Sequence, residues 1–453
     1  MPEKNHDPAA PAPVSPGEAF RYWLKLGFIS FGGPTGQIAM MHQELVERRR
    51  WISERRFLHA LNYCMLLPGP EATQLAAYIG WLMHGVRGGI VAGALFVLPS
   101  VFILIGLTWI YLAFGHVPAV AGILYGIKPA VTAIVVFAAW RIGSRALKNA
   151  WLWCLAAAAF VAIFAFDVPF PYIVLAAGIV GAIGGRLAPE KFRTGGHGSA
   201  QKSYGPALID DGTAAPPYAR FTWARLAIHV VTGFAIWAVA IGLLLAAFGW
   251  GGDFTQMGWF FTKAALLTFG GAYAVLPYVY QGAVEHYGWL TGPQMIDGLA
   301  LGETTPGPLI MVVAFVGFVG GWSKELLGPD ALALGGMLGA AVAAFFTFLP
   351  SFVFIVAGAP LVEATHGDIK FTAPLTGITA AVVGVVVNLA VFFAWHVLWP
   401  EASAAAPFAG RFEWPAALLG IAAAVALFRF KRGIIEVIAA CAAVGLFLTL
   451  ALH

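Results

Sequence analysis

The sequence predicts an all-α integral membrane protein built from two inverted-topology repeats, each carrying Gly/Pro-broken helical hairpins that re-enter the bilayer rather than cross it. Three observations lead there. Of the 453 residues 60% are hydrophobic and 11% charged, and the mean hydropathy is +0.81; a soluble domain of this size could not keep such a surface in water. Phe31-Gly32-Gly33 and Pro68-Gly69-Pro70 return as Phe269-Gly270-Gly271 and Pro306-Gly307-Pro308 at one offset, 270 − 32 = 307 − 69 = 238. Finally, residues 19–87 hold eight Lys and Arg (Arg21, Lys25, Arg48, Arg49, Arg50, Arg55, Arg56, Arg87), whereas residues 257–331 hold two, Lys263 and Lys324. Basic loops stay in the cytoplasm, so the first copy faces inward and the second outward.

The elements follow in order. Residues 1–18, rich in Pro and Ala, read as a disordered cytoplasmic tail without the apolar core of a signal peptide. Apolar runs of roughly 17–27 residues fall at 20–41, 64–84, 88–114, 117–140, 150–166 and 170–186, which compose a first repeat over 19–188. The polar stretch 189–224, with its Gly, Ser, Pro and Asp210-Asp211, reads as a solvated cytoplasmic linker. A connecting transmembrane helix at 225–249 leads into a second repeat over 250–453, with runs at 258–281, 298–321, 332–358, 372–398, 413–428 and 433–452. Leu98-Pro99-Ser100 recurs as Leu349-Pro350-Ser351 at the larger offset 350 − 99 = 251, which places an insertion near Lys324 to Pro329. If 20–41 and 64–84 both crossed the bilayer, the arginine-rich connector 48–56 would lie outside. Nine spans plus four re-entrant segments keep every basic loop inside, against an upper count of thirteen spans.

Irregular backbone at membrane depth is tolerated only where protein or a water-lined cavity satisfies it. The N-terminus of a half-helix presents free N–H groups and a positive dipole end, an anion site that needs no charged side chain. Paired interrupted segments in two halves point to a transporter's substrate site, and the motif pairs nominate Gly32, Gly33, Pro68, Gly69, Gly270, Gly271, Pro306 and Gly307. The structural alternative is that they only kink helices or let them touch. Lys128 precedes Pro129 in mid-segment, where an unpaired lysine is costly unless it meets a cavity, a carboxylate or an anion; it joins the substrate-binding candidates as the side chain for a dianion, the alternative being a structural pair with a buried acid. Lys25 and Lys263 are equivalent across the repeat and are entrance candidates or snorkelling residues. Glu71 and Glu303 flank the Pro-Gly-Pro motifs; either carries protons for coupling or caps a half-helix. Gln37, Gln74, Thr73, Thr304, Thr305 and Asn388 are neutral groups suited to a hydrated path or to helix packing.

Other classes lack their residues. No phosphate-binding P-loop is present, because Gly32-Gly33-Pro34 lacks the lysine and hydroxyl of that motif. The arginine cluster, flanked by membrane segments, suits anionic headgroups of the lipid bilayer rather than nucleic acid. Cys64, Cys154 and Cys441 lie in apolar runs without metal-ligand spacing, and no nucleophile elbow or zinc-protease motif occurs, so neither enzyme, cofactor nor metal is expected.

Phe31-Gly32-Gly33-Pro34, the basic connector ending in Trp51, Leu67-Pro68-Gly69-Pro70 and the duplicate Phe269-Gly270-Gly271 with Thr305-Pro306-Gly307-Pro308 together resemble the chromate ion transporter family in its long-chain, two-domain form. The resemblance runs from about Phe20 to near the end of the chain. It implies a multi-pass protein of the bacterial inner membrane that exports chromate and confers chromate resistance, driven by the electrochemical gradient. In the second copy Ala272 replaces Pro34, so the two hairpins need not contribute equally. Chromate and sulfate share shape and charge, which leaves sulfate or another oxyanion, moved by uptake or exchange, as the alternative, with an anion channel behind it. Protons are a second expected partner, and a homodimer is compatible with the architecture.

Overall fold

The computed structural model describes residues 11–31, 33–192, 204–213, 216–269, 271–364, 372–402 and 406–452. Among them seventeen α-helices follow one another: α1 (Pro16–Ile29), α2 (Gly33–His42), α3 (Glu54–Cys64), α4 (Glu71–Phe114), α5 (Pro118–Ala146), α6 (Ala150–Phe166), α7 (Phe170–Leu187), α8 (Pro189–Phe192), α9 (Trp223–Phe248), α10 (Asp253–Leu266), α11 (Ala272–Tyr280), α12 (Gly292–Thr304), α13 (Val312–Ser323), α14 (Leu332–Ala364), α15 (Thr372–Leu398), α16 (Trp414–Phe428) and α17 (Ile434–Leu452). The only β pairing among the described residues is the isolated bridge between Ile52 and Ile209. Seven stretches are long and apolar enough to cross a bilayer: Glu71–Phe114, Pro118–Ala146, Phe170–Leu187, Trp223–Phe248, Pro329–Glu363, Ala373–Leu398 and Ile434–Ala451. The chain is an all-helical, multi-pass membrane protein.

Local chemistry sets the helix boundaries. Ser15, Ser53, Asn149, Thr222 and Thr291 each accept a first-turn N–H, and Thr291 completes a capping box with Gln294. α4 is two rods, because His84 and Gly85 leave helical geometry and Gly85 takes φ +65°. Residues 71–83 fold back on the following rod: a Cβ placed on Gly80 lies 2.5 Å from Ala92 Cβ. Close crossings rest on small residues, as they must where lipid is as apolar as leucine. Gly126 of α5 abuts Cys441 and Gly445 of α17, and Gly317 of α13 abuts Gly339 of α14. α9 is mostly exposed apolar surface. It is held through Gly233 against Val353 and through the Trp237 indole, which donates to Thr262 at 3.0 Å.

Two sets of contacts gather helix ends. In the first, Glu18 at the start of α1 pairs with Arg49 beyond α2 at 3.2 Å, His42 meets Glu54 at the start of α3 at 2.5 Å, and His84 at the α4 break bonds to Val14 O at 3.0 Å. In the second, Asp253 at the start of α10 takes the Trp289 indole N–H at 2.6 Å and Lys324 of the α13 end at 3.4 Å. Lys324 also donates to Tyr287 O at 2.7 Å.

The described part of the linker differs from a freely solvated tether. Leu208 and Ile209 donate to Arg50 O and Trp51 O at 2.9 and 3.0 Å, Arg56 reaches Thr213 O at 2.5 Å, and the Tyr218 hydroxyl donates to Leu82 O at 2.9 Å. The apolar residues spaced within this polar run account for the docking, since Ala207, Ile209 and Ala219 are buried, Ile209 and Ala219 in a cluster that joins α1–α4 to α14.

Candidate functional site

Four breaks interrupt the short helices: between α1 and α2, between α3 and α4, between α10 and α11, and between α12 and α13. Each contains a motif glycine in left-handed territory, with φ +68° at Gly33, +126° at Gly69, +98° at Gly271 and +102° at Gly307. These backbones favour glycine, most strongly at Gly69, Gly271 and Gly307, whose φ lies beyond the small left-handed region. Gly32 and Gly270, also nominated by the sequence, lie outside the described residues.

The breaks meet pairwise across the two halves. The Gly69 N–H donates to Thr268 O at 2.7 Å, and the Gly307 N–H donates to Ser30 O at 2.8 Å. These are one bond made twice, since 268 − 30 = 307 − 69 = 238. The packing repeats as well: a Cβ on Gly69 would fall on Ser351 Oγ, and one on Gly307 would lie 2.6 Å from Ser100 Cβ. Those serines belong to the duplicated Leu-Pro-Ser motif. Gly69 and Gly307 are therefore seam residues, with their N–H groups already used. Gly33 and Gly271 differ, because a Cβ on either would meet nothing within 4 Å. Of the described motif glycines, these two border open space.

Amide side chains reinforce the seam on one side only. Gln37, fully buried, donates from Nε2 to Ser30 O at 3.1 Å and Gly307 O at 2.5 Å, and Gln74 donates to Pro68 O at 2.8 Å. Their counterparts in the second repeat are Val275 and Val312. Buried without a hydrogen-bond partner nearby are Ser30 Oγ, Thr73 Oγ1, Ser100 Oγ and the Oε1 atoms of both glutamines.

The ionisable candidates separate. Glu71 occupies the first turn of α4, beside its positive end. Glu303, in the last turn of α12, is buried and accepts the hydroxyl of Tyr273 in the first turn of α11, which ties two breaks together. Pro68 and Pro306 lie in the breaks and contribute backbone; Pro68 O takes the Gln74 bond. Lys25 is exposed on α1, while Lys263 lies 5.8 Å from the Trp259 ring, so the equivalent lysines have different surroundings. Lys128 is not an isolated cation: its Nζ lies 3.3 Å from Asp297 Oδ1, and Tyr111 donates to Asp297 Oδ2 at 3.0 Å. Sequence reasoning missed Asp297 and Tyr273. The duplication gave no signal for either, since Asp297 corresponds to His59 and Tyr273 to Thr35 in the first copy.

The sequence matches the Chromate transporter family over residues 17–182 and 255–446. The chain belongs to that family. The two matched blocks each hold one Phe-Gly-Gly and one Pro-Gly-Pro motif, and the stretch between them contains the docked linker and α9. Similar proteins include the chromate transport protein of Pseudomonas aeruginosa, 34% identical over 83% of this chain and 81% of that one. That of Cupriavidus metallidurans is 28% identical over 91% of this chain and 87% of its own. The probable chromate transport protein of Synechococcus elongatus is 28% identical over 82% of each. No solved structure matches the chain.

Proposed function

We propose that this chromate transporter family member exports chromate from the cytoplasm by alternating access, driven by membrane potential. The observation that carries the reading is the family match in two blocks, each containing one pair of helix-breaking motifs. Inverted repeats with four re-entrant hairpins are supported by the two sets of gathered helix ends and by the twice-made bond between Gly69 and Thr268 and between Gly307 and Ser30. The docked linker beside the arginine-rich connector supports a cytoplasmic face for the first set, and with it a cytoplasmic N-terminus in a bacterial inner membrane.

In this reading the oxyanion approaches the breaks where Gly33 and Gly271 border open space, and meets first-turn N–H groups and the unpartnered hydroxyls of Ser30, Thr73 and Ser100. Pro68, Gly69, Pro306 and Gly307 shape the seam that holds those half-helices in place. Glu71 and Glu303 are the proton-coupling candidates, and Lys25 and Lys263 are the entrance candidates. Moving a dianion out of a cell that is negative inside releases roughly 4.6 kcal/mol per 100 mV, enough for a gradient above about a thousandfold. ATP is not required.

Labelled chromate flux into everted membrane vesicles, with potential and proton gradient imposed separately, tests the reading. Accumulation driven by potential is expected. No accumulation under either gradient would overturn export, and accumulation of sulfate but not chromate would favour the other oxyanion.

A further inference from the structure

A cavity of about 440 Å3 lies beside the Lys128–Asp297 pair, lined by Tyr111, Tyr125, Lys128, Gln294 and Asp297 among others. Its rim includes Gly115 in the α4–α5 turn and Gln294 in the first turn of α12, so it opens where helices end, on the face that the proposed orientation makes external. The lysine side chain is 32% exposed and the aspartate side chain 5%. The cation therefore borders the cavity while the carboxylate sits behind it, held by Tyr111 at 3.0 Å.

We propose that this cavity is an external oxyanion station in which Asp297 is a built-in competitor for Lys128, keeping released chromate from rebinding. The inference rests on the transport reading. A dianion leaving the seam finds one lysine at the outer mouth, and while Asp297 is ionised that lysine already has a partner. The arriving anion binds weakly and leaves. A proton on Asp297 removes the competitor and frees Lys128 for the anion.

Neighbouring groups leave Asp297 as the switch. From α5 the facing groups are Lys128 and Tyr125, and Tyr125 is committed to Glu413 at 3.0 Å; from α4 it is Tyr111. α13 carries no titratable side chain, and on α15 His396 bonds to Phe392 O at 3.0 Å. On α17 Cys441 abuts Gly126, and Glu436 pairs with Arg432 at 3.8 Å. Glu303 on α12 itself is committed to Tyr273.

The test is unidirectional entry of isotopically labelled chromate into everted vesicles whose lumen, the former outer face, holds increasing unlabelled chromate. In the wild type at neutral lumenal pH, inhibition by lumenal chromate is expected to be weak. Asp297→Asn should transport into an empty lumen yet be inhibited at a concentration at least tenfold lower. Lys128→Gln and the double variant Lys128→Gln/Asp297→Asn should lose that tight inhibition. A purely structural ion pair predicts the reverse: both single variants impaired and the neutral double variant restored, with no shift in inhibition. That pattern overturns the proposal, as does an inserted Asp297→Asn that carries no flux. A second arm leaves the ion pair intact and removes only His116, the exposed imidazole next to the rim residue Gly115, as His116→Gln. Acidifying the lumen of these vesicles should tighten inhibition, by up to about tenfold per pH unit; chromate's own loss of charge at acid pH works against this, so the direction is diagnostic. Unchanged or weaker inhibition refutes the proposal even if Asp297→Asn fails to insert. Absence of any labelled flux in the wild type would instead refute the transport reading, and this inference falls with it.

Discussion

Replacing Gly69 with alanine separates seam from site. At φ +126° the position lies beyond the small left-handed region that alanine tolerates, a strain of about 1–3 kcal/mol. The new methyl also falls on Ser351 Oγ and lies 2.6 Å from Gln74 Nε2, and forcing a methyl into a packed site costs about 1–3 kcal/mol more. Gly69→Ala should thus destabilise the protein by about 2–6 kcal/mol. Gly33→Ala, at φ +68° with nothing within 4 Å of the new carbon, carries only a left-handed penalty of about 1–2 kcal/mol. Adding Ser351→Gly to Gly69→Ala should relieve the closest overlap and leave the Gln74 contact and the backbone strain. The assay is the temperature at which purified protein loses its monodisperse peak, read beside chromate flux. Gly69→Ala should melt lowest, the Ser351→Gly double variant between, and Gly33→Ala near the wild type but with weakened flux. Equal stability of Gly69→Ala and Gly33→Ala, or no recovery with Ser351→Gly, would refute the seam.

Three further outcomes are expected. Glu303→Gln keeps an acceptor for Tyr273 but cannot carry a proton, so flux should lose its response to an imposed proton gradient while keeping its response to potential; an unchanged gradient response removes Glu303 from coupling. Arg48 and His286 are equivalent exposed positions, 286 − 48 = 238. With the exposed Cys154 replaced by serine, a membrane-impermeant maleimide added to intact cells should label His286→Cys and spare Arg48→Cys, and labelling of both or neither contradicts inverted repeats. The Arg49 guanidinium, 2.7 Å from Glu44, holds that carboxyl below the ordinary glutamate range. A carboxyl with a depressed folded-state pKa stabilises above its unfolded value and loses that contribution as pH falls through the folded one. Hydrogen exchange in residues 44–56 should therefore rise on acidification below the ordinary range, and Arg49→Ala should move the onset to higher pH.

Much of the fold was legible because a bilayer leaves few choices. Apolar run length located the long helices, and Gly and Pro located the breaks, since a helix cannot pass Gly69 at φ +126° or Gly307 at φ +102°. The fixed offset of 238 put the breaks in correspondence, but it could not say that Gly69 bonds to Thr268 rather than to an anion. That is a pairing across halves, invisible to local pattern. Lys128 was legible as an anomaly, yet its partner was not: Asp297 lies 169 residues away in sequence, 297 − 128 = 169, and its counterpart in the first repeat is His59, so the duplication did not flag an acid there. The linker was misread as solvated because its average polarity hides the few buried side chains that dock it.

The seam has a consequence for assembly. Backbone N–H and C=O groups in the breaks cannot be left to lipid, and here each half satisfies the other: Gly69 N–H and Ser30 O of the first repeat are matched by Thr268 O and Gly307 N–H of the second. A separated first half would expose these groups, each at about 1–3 kcal/mol when buried unpaired. On the proposed inverted topology it cannot supply its own partner, because its eight basic residues between 19 and 87 favour one orientation for every copy. Residues 1–222 and 223–453 produced from separate messages should therefore co-purify and restore chromate flux together, while neither does so alone. The cut at 222 leaves the linker joined to the repeat that takes its hydrogen bonds from Leu208, Ile209 and Tyr218, while its Pro217–Ala219 turn also packs on α14 and adds to the contact between the fragments. A first half that is monodisperse and as heat-stable alone as in the pair would show that the breaks close within each repeat, and the cross-repeat seam would have to be abandoned.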